Sequence, residues 1–427
     1  MEFGASALSR RAIALLSTKL SRSSSVLFVG GVLSGVLGYV FHVVMGRTLS
    51  ESEYGLLTSI VAVMTVLSVP TSALTMVIAR AVAGYRAHGD EGSIAHLYSV
   101  TTRWLLVACV VFLAAYVLIA PALQQYLRSP SLTPIYLLGV LVTASLIVPI
   151  GLAVLQGAQK FVAFSVSHLL AILFKILLCA LLVWLGYGVS GATAGMILSL
   201  VMMWGLVYLL TRGYVKSGQL PRVKHHYPWR FVMSVMAANV AFVSMTQLDM
   251  VLVRHYFSAE ESGMYAAASV LGKAVLYLPG AVVTALFPMV AENSALQRGS
   301  ASLMLNAVAL TLLLSGAGAA FYLLFAPELV TLLYGERYAE AGEVLRYFGL
   351  AMIPMALVMV AENFLIAQGR IFFVYLLLIV APLQILAIHF FHQSLLMVVA
   401  ILAIGGWVLA LVGYGMLWRE YRRAPAK

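Results

Sequence analysis

Apolar runs of about twenty residues recur along the whole chain, separated by short polar breaks. Runs of that length predict helices that cross a bilayer, at residues 24–46, 55–79, 99–120, 133–156, 162–185, 191–211, 229–253, 264–289, 301–326, 344–367, 371–390 and 394–417. They are continuous rather than alternating with period two, which excludes a membrane β-barrel. The longest polar stretch, residues 211–230, falls at mid-chain and separates six spans from six. The predicted fold class is therefore an all-α polytopic membrane protein of about 12 transmembrane helices in two six-helix lobes. Its parts are a cytoplasmic amphipathic segment at 1–23 lying on the membrane surface, an N-lobe at 24–211, a cytoplasmic linker at 212–228, a C-lobe at 229–418 and a basic tail at 419–427.

Composition removes the soluble alternative. Hydrophobic residues make up 63% of the chain and charged residues 10%, too few to form a polar skin. The formal charge of +11 does not form a nucleic-acid surface, because the basic residues are dispersed over loops and ends. With both termini cytoplasmic, eighteen Lys and Arg lie inside, and five lie outside, namely Arg47, Arg128, Arg254, Arg337 and Arg346. That bias fixes an N-in/C-in orientation. Cys109 and Cys179 both sit in apolar runs, too few and too separated for a disulfide framework or a zinc site. The His225–His226 pair lies in a basic, Pro-containing linker and reads as solvated; neither metal nor cofactor is expected.

The two halves carry a faint repeat. Ser50, Glu53 and Gly55 match Ser258, Glu261 and Gly263 at one offset of 208 positions, and Pro70 and Pro279 follow at nearly the same offset. Gln159-Lys160-Phe161 after span four matches Gly369-Arg370-Ile371 after span ten. Units six helices apart have the same orientation, so the lobes should be related about the membrane normal, with a central cleft between them. Pro70 and Pro279 are the predicted helix hinges, since proline removes a backbone donor and loosens a span.

The stretches GRTLSESEYGLLTSIVAVMTVLSVP and ARAVAGYRAHGD resemble the opening of the Wzx-type oligosaccharide flippases, a polysaccharide-biosynthesis family. LDMVLVRHYFSAEESGMYAAASVLGKAVLYLPGAVVTALFPMVAE and LLYGERYAEAGEVLRYFGLAMIPMALVMVAENFLIAQGR resemble later helices of that family, and the likeness runs from about residue 24 to 417. The superfamily also holds multidrug and toxin exporters and peptidoglycan-precursor flippases. The resemblance implies alternating access in the cell inner membrane. It also implies a polyprenyl-diphosphate-linked sugar as cargo, and polymerase and other polysaccharide-assembly proteins as partners. A multidrug exporter, and a membrane polymerase or ligase of the same pathway, are the competing readings.

An anionic cargo needs cations within the membrane, where they are costly. Lys273 lies mid-span with Tyr277 one turn on, and faces either the cavity or a structural partner. Lys175 and His168, seven residues apart on one face, offer two donors or a single interhelical contact. His42 in span one faces the cleft or a neighbour. Asp249 is a candidate for ion coupling, or else the partner of Arg254 or Arg47. Arg80 and Arg103 near the inner face capture a head group or anchor helix ends, and Glu362 reads as a snorkelling partner of Arg370.

Overall fold

The structure, a computed structural model, describes residues 3–215, 229–280, 290, 301–368 and 372–423, and side chains for 26–214, 233–280, 290, 302–366, 368 and 372–418. Among the described residues there are twelve long helices and no strand. They are α1 Phe3–Thr48, α2 Glu51–Ala87, α3 Glu91–Tyr126, α4 Thr133–Gly157, α5 Phe161–Leu182, α6 Gly188–Val215, α7 Trp229–Tyr256, α8 Ala259–Tyr277, α9 Ala301–Tyr334, α10 Ala341–Ala367, α11 Phe372–Phe390 and α12 Leu395–Arg423. Eleven of the twelve fall in stretches long and apolar enough to cross a membrane; α8, with Glu260, Glu261 and Lys273, is the exception. Large apolar side chains such as Trp104, Leu118, Trp184 and Leu411 are exposed over the outside of the bundle, a surface suited to lipid rather than water.

Packing repeats with a period of six helices. In the first half α2 packs on α4, α3 on α4, α4 on α6, α5 on α6, and α1 on α5. In the second, α8 packs on α10, α9 on α10, α10 on α12, α11 on α12, and α7 on α11. α4 and α10 are therefore equivalent central helices, and they are the two most enclosed spans. Between the lobes, α2 crosses both α7 and α8.

The repeat detected in the sequence is a pair of helix starts. Ser50 caps α2: its Oγ accepts from the Glu53 amide at 3.3 Å, and the Glu53 carboxylate accepts from the Ser50 amide at 3.1 Å. Ser258 and Glu261 do the same for α8 at 3.1 and 2.9 Å. Each reciprocal box satisfies two backbone donors that a helix start leaves free. Ser50→Ala and Ser258→Ala are each expected to cost about 1 kcal/mol, read as a lowered thermal unfolding midpoint in detergent. α5 and α6 are joined by a tight turn at Val183–Tyr187, which needs the positive φ of Gly186 (89°) and Gly188 (52°).

One expectation changes here. The N-terminal segment does not form a separate surface helix, since its backbone continues unbroken into the first span as α1. Pro70 lies inside α2, which runs continuously from Glu51 to Ala87, whereas Pro279 sits in the turn that ends α8. A proline costs one backbone bond, and the remaining bonds of a 37-residue helix carry α2 through it. The linker histidines and Arg370 lie outside the described residues.

Candidate functional site

A cavity of about 260 Å³ lies between the lobes, walled by α1, α2, α5, α7 and α8. Tyr39, His42, Lys175, Gln247, Lys273 and Tyr277 supply its polar lining. The α1 wall is partly bare backbone at Gly35 and Gly38, where an added Cβ would meet nothing within 4 Å.

The two lysines are in different electrostatic states. Lys273 is buried and its Nζ lies 3.4 Å from Asp249 Oδ1, while Tyr265 OH donates to Asp249 Oδ2 at 2.8 Å. Lys273 therefore does both things the sequence allowed: it lines the cavity and it makes a structural pair. Asp249 pairs with neither Arg254 nor Arg47, because the i+5 position turns Arg254 to another face of α7 while α8 presents Lys273 and Tyr265 to it. Lys175 is half-buried, its Nζ stands 4.1 Å from the Phe41 ring centroid, and it has no carboxylate partner among the described residues. A cation over a ring face is stabilised by the ring's quadrupole, but it keeps its charge available. Asp249→Ala would leave Lys273 without its counter-charge, and is expected to lower stability by about 3–5 kcal/mol; Asp249→Ala/Lys273→Ala together should recover most of the loss in a thermal unfolding series.

His42 faces the cleft, with Nδ1 3.4 Å from Tyr54 OH, which in turn sits 3.2 Å from Tyr334 OH. His168 faces a neighbouring groove between α1 and α5, beside Gly30, Ser34, Phe164 and Ile172, which meets the cavity at Gly35. Arg80 and Arg103 are exposed and do not line the cavity. Glu362 is not a surface snorkeller; it is 4% exposed, inside the C-lobe.

The cavity is closed at the end where α2 and α8 begin. There Gly55 abuts Ser262 and Gly263, and Gly263 abuts the Glu51 carbonyl, so closely that a Cβ on either would overlap the other lobe. Arginines clamp this crossing. Buried Arg254 donates to Leu127 O at 2.9 Å, Ser52 O at 3.1 Å and Ser262 Oγ at 3.0 Å. Arg337 donates to Gly46 O at 2.6 Å and Leu49 O at 2.8 Å, and pairs with Glu51 at 3.3 Å. Arg47 donates back to Leu333 O at 2.7 Å. The repeat in the sequence marked Gly55 and Gly263, but their mutual contact was not readable from it. The arginine clamp was missed because its acceptors are backbone carbonyls, which have no sequence signature. Among the described residues no group of three or more His, Cys, Asp or Glu could hold a metal ion.

Comparison with known proteins adds a family and a fold. The family profile described as polysaccharide biosynthesis protein matches residues 44–343. Among curated proteins none matches this chain. A multidrug resistance MATE family transporter of the MOP superfamily, in an inward-facing conformation, superposes with TM-score 0.69 at 14% identity, over 92% of this chain and 96% of its own. An outward-facing conformation of a multidrug resistance MATE family transporter of the MOP superfamily gives 0.61 at 18% identity, over 94% of each chain. The lipid II flippase MurJ, in an inward closed conformation, gives 0.68 at 11% identity, over 92% of this chain and 87% of its own.

Proposed function

We propose that this chain, which belongs to the polysaccharide biosynthesis protein family, is a flippase that carries a polyprenyl-diphosphate-linked oligosaccharide across the cell inner membrane by alternating access. The observation that carries the reading is Lys175, a cation at the inter-lobe cavity with no acid to neutralise it among the described residues. A diphosphate supplies the missing negative charge, and Lys273, shared with Asp249, supplies a second donor. Tyr39, Tyr277 and Gln247 offer ring faces and hydrogen bonds suited to sugar. A cationic drug fits the same cavity poorly. Among the described residues the one acid beside it, Asp249, already holds Lys273 and Tyr265.

With both termini cytoplasmic, the clamped end of the cleft faces outward and the conformer is the cargo-loading one. A cavity of about 260 Å³ sits at the small end for ligand sites, so a multi-sugar head group requires the lobes to part further. The lipid tail stays in the bilayer and the polar head rides between the lobes.

The test is genetic and chemical. Deleting the gene should stop surface polysaccharide and leave lipid-linked sugar on the inner leaflet. Complementation with wild type should restore both, and complementation with Lys175→Glu, present at the same level, should restore neither. Normal polymer from the deletion strain would remove the reading.

A further inference from the structure

A second cavity, of about 730 Å³, opens at the clamped end of the C-lobe, between α8, α9, the start of α10 and the first residue of α12. Glu340, Glu343 and Tyr347 stand at i, i+3 and i+7 along the opening turns of α10, with Arg346 beside them. Glu261 faces them from α8, and Met264 and Leu395 supply apolar wall. The cavity shares no lining residue with the one between the lobes.

The repeat separates what the fold needs here from what it does not. Gly139 abuts Tyr116 in the N-lobe and Gly349 abuts Tyr322 in the C-lobe, which sets an offset of 210 positions for α4 and α10, as Lys160 and Arg370 do. Burial keeps that register: Pro134, Ile135 and Leu138 are buried, and so are Val344, Leu345 and Phe348. The N-lobe accordingly carries its own copy of the cavity, of about 220 Å³, where Glu53, Leu56 and Pro134 stand for Glu261, Met264 and Val344.

The copies differ in chemistry. Pro130, Thr133, Tyr136 and Leu137 hold the positions of Glu340, Glu343, Arg346 and Tyr347, so the architecture does not require those charges. The N-lobe copy is also entered by Arg254 of the other lobe, whose guanidinium donates to Leu127 O, Ser52 O and Ser262 Oγ. No N-lobe residue lines the C-lobe cavity. There Arg346 Nε is shielded from solvent without a hydrogen-bond partner, and neither Arg346 nor Glu340 nor Glu343 makes an ion pair among the described residues, which include every connection at this end. A shielded donor left unmet in a native fold calls for a reason.

The lining selects its ligand. Three carboxylates against one guanidinium repel a diphosphate. A simple cation meets Arg346 among those carboxylates, and no group of three or more acids, His or Cys here could hold a metal ion among the described residues. A sugar unit fits both sides of the lining, because its hydroxyls donate to carboxylates and accept from a guanidinium. Its C–H face packs on an aromatic ring, and the Tyr347 ring is 49% exposed.

We propose that this cavity is a saccharide-binding site on the outer surface, which takes neutral sugar units of the cargo after their passage. The inference rests on the transporter reading, which brings the sugar to this side. With the outward end clamped, a sugar held here belongs to cargo already delivered. It lies against Glu261 and Met264, which flank the Ser262 and Gly263 of the crossing.

The experiment uses purified full-length protein in nanodiscs. Its probe is the free oligosaccharide released by mild acid from the cells' lipid-linked pool, which carries neither lipid nor diphosphate. Binding is read by saturation-transfer NMR and by titration. Wild type should bind the probe, and Tyr347→Ala, Glu343→Gln and Arg346→Gln should each weaken binding by about tenfold or more while remaining folded. Ala339→Cys, exposed at the rim, should react with a membrane-impermeant thiol reagent in cells, and more slowly in nanodiscs once the probe is added. Lys175→Glu should bind the free sugar as wild type does, although the transporter reading requires it to stop flipping. No binding by wild type, or wild-type affinity in all three cavity variants, would overturn the proposal and leave the transporter reading standing. Loss of binding in Lys175→Glu alone would place the sugar between the lobes and also overturn it. Flipping by Lys175→Glu with binding in the cavity intact would remove the transporter reading instead.

Discussion

Gly263→Val is expected to abolish transport in a protein that still folds. Gly263 sits against the Glu51 carbonyl, and Gly55 against Ser262 and the Gly263 backbone, so the two helix starts touch main chain to main chain. A side chain cannot be absorbed there by rotating a neighbour, because the obstructing atoms are backbone. Relief requires the two lobes to separate at that end, and separation strips the Arg254 and Arg337 bonds to carbonyls of the other lobe. Each charge-assisted bond contributes about 1.5–3 kcal/mol, so loss of three moves the balance between conformers by several kcal/mol. That exceeds the few kcal/mol separating the states of typical two-state proteins. The variant should remain open at the outward end, seen as free labelling of Ser52→Cys by a membrane-impermeant thiol reagent in cells. The same label should react slowly in the parent, and Gly263→Ala should show an intermediate rate. Within each lobe the packing is untouched, so the variant should still fold, with its thermal unfolding midpoint lowered by the lost inter-lobe bonds.

Lys175→Ala is expected to weaken cargo binding by roughly a hundredfold, and Lys175→Glu by more. A phosphate 4 Å from an ammonium group, at an effective dielectric of about 20, is attracted by about 4 kcal/mol before desolvation. After that cost about 3 kcal/mol remains, equivalent to roughly a hundredfold in affinity. Lys273 does not compensate, because Asp249 already neutralises it. Lys175→Arg keeps the charge and should retain part of the binding, although the planar fork cannot reproduce the placement of a compact ammonium over Phe41. Titration with a soluble sugar diphosphate on purified protein measures the series directly. The expected rank is wild type, then Arg, then Ala, then Glu.

How far the sequence reaches depends on which kind of interaction holds each feature. Eleven of the twelve predicted spans match helices long and apolar enough to cross a membrane, because transfer of apolar runs into lipid depends on composition and length alone. The six-plus-six division was readable because capping boxes leave a residue signature, Ser at the cap and Glu three positions on, in both halves. Lys175 and Lys273 stood out as cations in apolar runs, but their partners did not. Asp249 was read as an ion-coupling acid or else as the partner of Arg254 or Arg47, whereas α8 brings Lys273 and Tyr265 to it across a helix pair. The arginine clamp was invisible for a related reason, since Leu127, Ser52, Gly46 and Leu49 accept through backbone oxygens that any residue would supply. Pro70 and Pro279 read alike from their offset, but one lies inside a continuous helix and the other in the turn that ends α8. Glu362 was read as a partner of Arg370, which lies outside the described residues; its burial inside the C-lobe was not readable from the sequence.

The central claim is that the cleft moves a diphosphate-linked lipid by means of Lys175. It is tested most directly in proteoliposomes carrying a labelled polyprenyl-diphosphate sugar, by following the appearance of the sugar in the opposite leaflet. Wild type should transfer the label far faster than protein-free vesicles, and Lys175→Glu should match the protein-free rate while remaining folded. Transfer by Lys175→Glu at the wild-type rate, or none above background by wild type, would contradict the account.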